Sequence, residues 1–190
     1  MYKRQNILFV LGTKAQFIKT IPMINYAIKN KYSVTVVDLK QHPEKTISLI
    51  SKINGKYTYM EFIKNKKDIG TYLGLLKWTL IICLKIIFKK EKIFTNNLAI
   101  VHGDTLSTLL GAFLIRRNKG KLVLLEAGLG FPGMFKHFPE SFIRLYVAKF
   151  SHFLIANGED QINQLKTWGV KGNIIAVSYT HLTLPTTQVV

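Results

Sequence analysis

The sequence predicts an α/β protein built on a doubly wound parallel sheet, and three observations carry that prediction. Short continuous apolar runs, such as Ile7 to Leu11 and Val34 to Val37, lack the polar alternation of a strand with one wet face. Longer segments lie between those runs and carry apolar residues at helical spacing, the pattern of a parallel sheet covered on both faces. Polar, glycine-containing turns follow several runs, at the carboxyl ends where such sheets bind ligands.

Taken in order, Asn6 to Leu11 reads as a strand ended by Gly12-Thr13. Ala15 to Lys29 is a helix with Phe17, Ile18, Ile21 and Ile24 on one side, and Pro22 should kink it or shift its start. Ser33 to Leu39 is a buried strand, Glu44 to Ile53 a helix, and Tyr57 to Ile63 an edge strand. Ile69 to Lys90 is a long helix, Leu98 to His102 a strand, and Thr105 to Arg117 a helix. Lys121 to Glu126 is a strand, and 127–138 a loop. Pro139 to Phe150 is a helix, with Pro139 suited to a first turn. His152 to Ala156, Glu159 to Trp168 and Asn173 to Ala176 complete the pattern as strand, helix and strand.

The chain has 190 residues, 48% of them hydrophobic, which suits one compact domain and excludes a disordered or collagen-like chain. Its formal charge of +17 comes mainly from scattered lysine, with only four arginines (Arg4, Arg116, Arg117 and Arg144). Base reading and phosphate clamping favour arginine's planar fork, so no specific nucleic-acid partner is expected. The single Cys83 excludes an intrachain disulfide, and the scattered histidines lack ligand spacing, so no metal site and no cofactor are expected. Residues 72–90 mix apolar residues with Lys77, Lys85 and Lys89. Those lysines interrupt any span, and they leave a core-packed amphipathic helix or peripheral contact with an anionic bilayer. No export signal is evident, so a cytoplasmic location is expected. The segment 177–190 has neither charge nor helical period; it reads as an adapter-derived tail foreign to a domain of residues 1–176.

Three turns could carry chemistry. Gly12, Thr13 and Lys14 lead into a helix that holds Lys19, either as a phosphate-binding turn or as an ordinary one. His102-Gly103-Asp104-Thr105 ends a strand; Asp104 is a catalytic carboxylate or a helix cap, and His102 reads as a core histidine. Glu126 closes an apolar strand, where a carboxylate is costly without a partner or a role. Glu140 opens the next helix, with Arg144 one turn on. Gly128-Leu-Gly-Phe-Pro-Gly133 has dinucleotide-fingerprint spacing, but no helix opens there and no acidic residue follows at the required distance.

Together these pieces resemble the UDP-N-acetylglucosamine 2-epimerase family. The matching elements are Gly12-Thr13 with Lys19, His102-Gly-Asp-Thr105, Glu126-Ala-Gly-Leu129, and Pro139-Glu140 with Arg144, in the family's order and spacing from about Gln5 to Ala176. Departures are Lys14-Ala15-Gln16 for Arg-Pro-Glu, Gly130 for an arginine, and Ser141 for a second glutamate. The resemblance implies the first, Rossmann-like half of a two-domain, glycosyltransferase-B-like architecture, the second domain being absent from this chain. It implies Asp104, Glu126 and Glu140 as catalytic residues, with Gly12, Thr13, Lys14, Lys19 and Arg144 binding a UDP-sugar. The implied reaction is C2 epimerisation to UDP-N-acetylmannosamine by elimination and re-addition of UDP, for envelope polysaccharide synthesis, with a homodimer of the full-length protein as a further expectation. A hydrolysing 2-epimerase, a divergent two-domain glycosyltransferase and a basic membrane-surface or polyanion-binding module are the alternatives.

Overall fold

The computed structural model of the chain describes residues 6–129 and 139–177. Seven strands form one sheet: β1 Asn6–Leu11, β2 Ser33–Asp38, β3 Thr58–Glu61, β4 Leu98–His102, β5 Lys121–Leu125, β6 Phe153–Ala156 and β7 Asn173–Ala176. Their order is β3-β2-β1-β4-β5-β6-β7, and every pairing is parallel. Six helices cross over between them: α1 Lys14–Lys29, α2 Pro43–Ile50, α3 Tyr72–Phe88, α4 Leu106–Arg117, α5 Glu140–Phe150 and α6 Glu159–Thr167. Strand order reverses between β1 and β4, so the fold is doubly wound and Rossmann-like, with its ligand crevice expected above those two strands.

The apolar runs are continuous because both sheet faces are covered. Phe9 and Leu11 of β1 pack with Phe17, Ile21 and Ile24 of α1 and Leu49 of α2. Leu8 and Val10 point the other way, toward Trp78 and Ile82 of α3 and Leu110 and Leu114 of α4. Burial of each such side chain contributes about 1.5–3 kcal/mol. Gly111 lets α4 sit close to the central strands, since a Cβ there would come within 3.0 Å of Val10 and 3.2 Å of Val101.

Helix boundaries follow capping chemistry. Thr13 caps α1, Thr71 caps α3 and Thr105 caps α4, each accepting a backbone N–H with its side chain. The long helix therefore begins at Tyr72, not Ile69. Thr105 also relieves Asp104 of the capping role open to it in the sequence. Pro22 neither ends α1 nor delays its start; the helix runs from Lys14 to Lys29 around it. Pro22 is exposed, so water can serve the carbonyl that a proline cannot reach.

Helix α3 buries Trp78, Ile82 and Ile86 and leaves Leu73, Leu76, Leu80 and Phe88 more than half exposed. No helix among the described residues is long and apolar enough to cross a membrane. Residues 130–138, part of the segment expected to be a loop and including Gly130 and the end of the glycine-rich run, lie outside the described residues, as does the expected foreign tail beyond Val177.

Pro22→Ala should raise the unfolding free energy by up to about 3 kcal/mol, because the helix already accommodates position 22 and gains its missing hydrogen bond. Urea unfolding would show this; a loss of stability would mean that proline shapes a bend the core requires.

Candidate functional site

The β1–α1 turn and the β4–α4 turn are joined by one buried side chain, Gln16, which is 2% exposed. Its Oε1 accepts from the backbone N–H of Gly12 at 2.8 Å, from that of Thr13 at 3.1 Å and from the Ser107 hydroxyl at 2.9 Å. Its Nε2 donates to the His102 carbonyl at 2.8 Å and to the Thr108 hydroxyl at 2.9 Å, with Thr105 Oγ1 at 3.2 Å. Thr13 and Gln16 thus form a capping box whose glutamine reaches across the switch point as well as back to its own helix start. Gly12 fits the same junction by lacking a side chain, since a Cβ there would lie 2.7 Å from Ser107 Cβ.

This clamp sets the sheet edge that carries charge. Asp104 follows β4 and Gly103, which holds a left-handed φ of +74°. Arg144, on α5, donates Nε to Asp104 Oδ2 at 2.7 Å and brings Nη2 onto the same oxygen. Glu126 follows β5 directly, with a left-handed φ of +55° that is uncommon for a residue with a side chain. Lys19, one turn beyond Gln16 on α1, donates to both Glu126 oxygens at 2.9 Å and 2.8 Å. Two carboxylates and two cations, drawn from four elements, line a concavity of about 170 Å³ together with Gly103, Ala127, Gly128 and Leu129. Gly128 closes its floor against α6, where a Cβ would lie 2.4 Å from the Gln161 carbonyl.

His102 stands behind Glu126, buried, with Nε2 3.6 Å from Oε1. Burial pushes its proton affinity below the ordinary histidine range, and Lys19 adds to this, while Glu126 and Asp104 oppose it. The imidazole is therefore neutral near pH 7.

The other expected site residues are placed differently. Gly12 and Thr13 lie outside this concavity, and their N–H groups are already engaged by Gln16. Lys14 is exposed at the first position of α1. Glu140 is exposed at the start of α5 and does not line the concavity, although Arg144 on the same helix does. Sequence reasoning treated Gln16 only as a departure from a family glutamate; the Thr-x-x-Gln spacing of a capping box was the available signal. It read His102 as core, which its burial matches, without its approach to Glu126. No group of three or more metal-ligating side chains gathers among the described residues.

No family model matches the chain. It is 27% identical over 169 residues to the UDP-N-acetylglucosamine 2-epimerase of Methanocaldococcus jannaschii, an alignment covering 88% of this chain and 44% of that protein. The fold matches the UDP-GlcNAc 2-epimerase of Neisseria meningitidis, solved with UDP-GlcNAc bound, with a TM-score of 0.69 at 23% identity, over 90% of this chain and 46% of the other. It likewise matches the Methanocaldococcus jannaschii enzyme solved with UDP-GlcNAc and UDP, with a TM-score of 0.68 at 24% identity, over 90% and 46%. The chain spans about half the length of the relatives it matches.

Gln16→Leu keeps the volume and strands the backbone N–H groups of Gly12 and Thr13, each costing about 1–3 kcal/mol when buried without a partner, while the His102 carbonyl keeps the Thr108 hydroxyl. The unfolding free energy should fall by at least about 2 kcal/mol on that basis; a loss below about 1 kcal/mol would mean that water replaces the clamp.

The pH dependence has a defined sign. His102, His42 and His152 all have proton affinities lowered from the ordinary value of 6.5, chiefly by burial. The unfolded chain binds more protons there, so their contribution is fully present above pH 6.5 and is lost as pH falls through the lowered folded values. Asp38 acts oppositely: burial raises its pKa from 3.8, so its contribution is present below that value and lost as pH rises. In an Asp38→Asn background, which removes the opposing carboxyl, unfolding between about pH 7.5 and about pH 5.5 should therefore become easier with acid; flat stability across that window would contradict imidazoles that stay neutral in the fold.

Proposed function

We propose that this chain is the carboxylate-bearing half of an enzyme that epimerises UDP-N-acetylglucosamine at C2. The observation that carries the reading is the pair of cation–carboxylate contacts, Lys19–Glu126 and Arg144–Asp104, gathered at the carboxyl edge of a doubly wound sheet. Similarity along 88% of the chain to a protein of that activity supports it. A concavity of about 170 Å³ is smaller than the roughly 300–1,000 Å³ of sites that enclose a ligand of that size. We therefore propose that residues 1–176 form one wall, and that a second domain of a longer protein supplies the other and holds the uridine.

The chemistry suits the residues. A base takes the proton from C2 while the C1–O bond to UDP breaks, leaving a glycal and UDP. Re-addition of UDP with protonation on the opposite face gives UDP-N-acetylmannosamine. Asp104 and Glu126 lie where proton transfer can be divided between two carboxylates in different electrostatic settings. Lys19 and Arg144 are placed to accept the diphosphate's charge as it develops. Glu140, at the α5 N-terminus, is the third carboxylate by its match to the family pattern, and Lys14 extends the cationic rim. Such a reaction belongs in the cytoplasm, where nucleotide sugars for envelope polysaccharides are made. We further propose that the exposed apolar face of α3 is covered in the working protein, by a second copy or by a bilayer surface; solution mass with and without anionic vesicles separates the two.

The test is exchange of the C2 proton of UDP-N-acetylglucosamine in D2O. The two-domain protein should exchange it, and Asp104→Asn and Glu126→Gln should each slow exchange by about 10²- to 10⁴-fold. Residues 1–176 alone should show no turnover. Full exchange in both amide variants would remove the catalytic assignment, and net release of UDP with free N-acetylmannosamine would identify a hydrolysing enzyme instead.

A further inference from the structure

Glu126 has two neighbours that compete for one carboxylate. Lys19 holds both oxygens, at 2.9 Å and 2.8 Å, from a side chain that is 51% exposed. His102 waits 3.6 Å from Oε1 with a side chain that is 7% exposed. The two differ in how easily they can leave. Lys19 is a flexible cation in solvent, and such ion pairs are weak and readily exchanged.

His102 is fixed. Its carbonyl accepts from Gln16 Nε2 and Thr108 Oγ1, each at 2.8 Å. Its strand register sets it opposite Leu125, and Glu126 is the next residue. The left-handed backbone at Glu126 fixes the departure of that side chain from the sheet edge, a local strain of the kind found at functional positions.

We propose that His102 is a positioning residue for Glu126, taking over its carboxylate when a diphosphate-bearing ligand draws Lys19 out of the ion pair. The ligand-triggered step rests on the functional reading above; the pairing of imidazole and carboxylate does not. A separation of 3.6 Å is just outside hydrogen-bond reach, so a small rotation of the glutamate closes it once Lys19 lets go. With its proton on Nε2, the neutral ring donates to Oε1 and leaves the other oxygen unengaged. The carboxylate then keeps its direction without a cation neutralising it. The charged groups that bear on His102 are Glu126, Lys19 and Asp104. In the free protein Glu126 is thus held by a cation, and the anionic ligand itself removes that restraint.

The test uses the full chain, with nuclear magnetic resonance of the His102 ring nitrogens and the Glu126 carboxyl carbon. Lys19→Met, or inorganic pyrophosphate added to the unsubstituted chain, should move the His102 Nε2–H to a hydrogen-bonded position and slow its exchange with water. In the Lys19→Met background, His102→Gln supplies an amide donor and should keep the Glu126 proton affinity unchanged. His102→Leu should raise that affinity by about tenfold, since a hydrogen bond to the charged form is lost. An unmoved His102 resonance in Lys19→Met would overturn the proposal, as would equal Glu126 titrations with Gln and Leu at position 102. Lys19 is half exposed and outside the core, so its readout does not depend on whether the His102 variants fold. If Lys19→Met moves the resonance and pyrophosphate does not, the ligand-triggered step is overturned. Failure of the two-domain protein to bind UDP-N-acetylglucosamine would sink the functional reading and leave the Lys19→Met result intact.

Discussion

One buried carboxamide holds the site edge together. A parallel sheet fixes its strands by backbone pairing but leaves the turns beyond them free to differ. Gln16 removes that freedom at the switch point by accepting from the β1–α1 turn and donating to the end of β4 and the first turn of α4. A carboxylate in the same place would have no proton for the His102 carbonyl, and an aliphatic side chain would satisfy neither turn. The same contact sets Lys19, one helical turn later, and Asp104, two residues past His102. Lys19 and Asp104 thus stand on backbone joined through the clamp, while Glu126 and Arg144 reach them from the end of β5 and from α5.

That attraction is modest. The four side chains of the two ion pairs are 22–51% exposed, and ion pairs near solvent add at most about 1 kcal/mol. Their value lies in placement. Each pair joins a group from a strand end to a group from a flanking helix, and both cations line one concavity. Glu126 adds an unusual backbone, and His102 adds a buried imidazole 3.6 Å from its carboxylate.

The sheet was legible because every central strand is buried on both faces and so reads as a continuous apolar run. Helix ends were legible to within a few residues; the shifts at Lys14 and Tyr72 trace to the threonine caps Thr13 and Thr71. The carboxylates and cations could be found from their places after strands, since polar residues there have few structural duties. Gln16 and His102 were harder. Both are buried polar residues, a class whose partners lie 86 residues apart in the chain for Gln16 with the His102 carbonyl, and no local pattern encodes such a contact. The engagement of the Gly12 and Thr13 N–H groups by Gln16 has the same origin, because the sequence of a turn does not distinguish an open N–H from one taken by a distant neighbour.

Calorimetric titration of UDP, with uridine and pyrophosphate as controls, into the chain and its Lys19→Met/Arg144→Met variant addresses the central claim most directly. The two cations should confer diphosphate recognition, so pyrophosphate and UDP should compete for the unsubstituted chain. Both should lose at least about tenfold in affinity in the double variant, equivalent to about 1.4 kcal/mol. Uridine should bind poorly to either protein. Equal affinity of UDP for the two proteins, or uridine binding as well as UDP, would contradict a diphosphate site between Lys19 and Arg144.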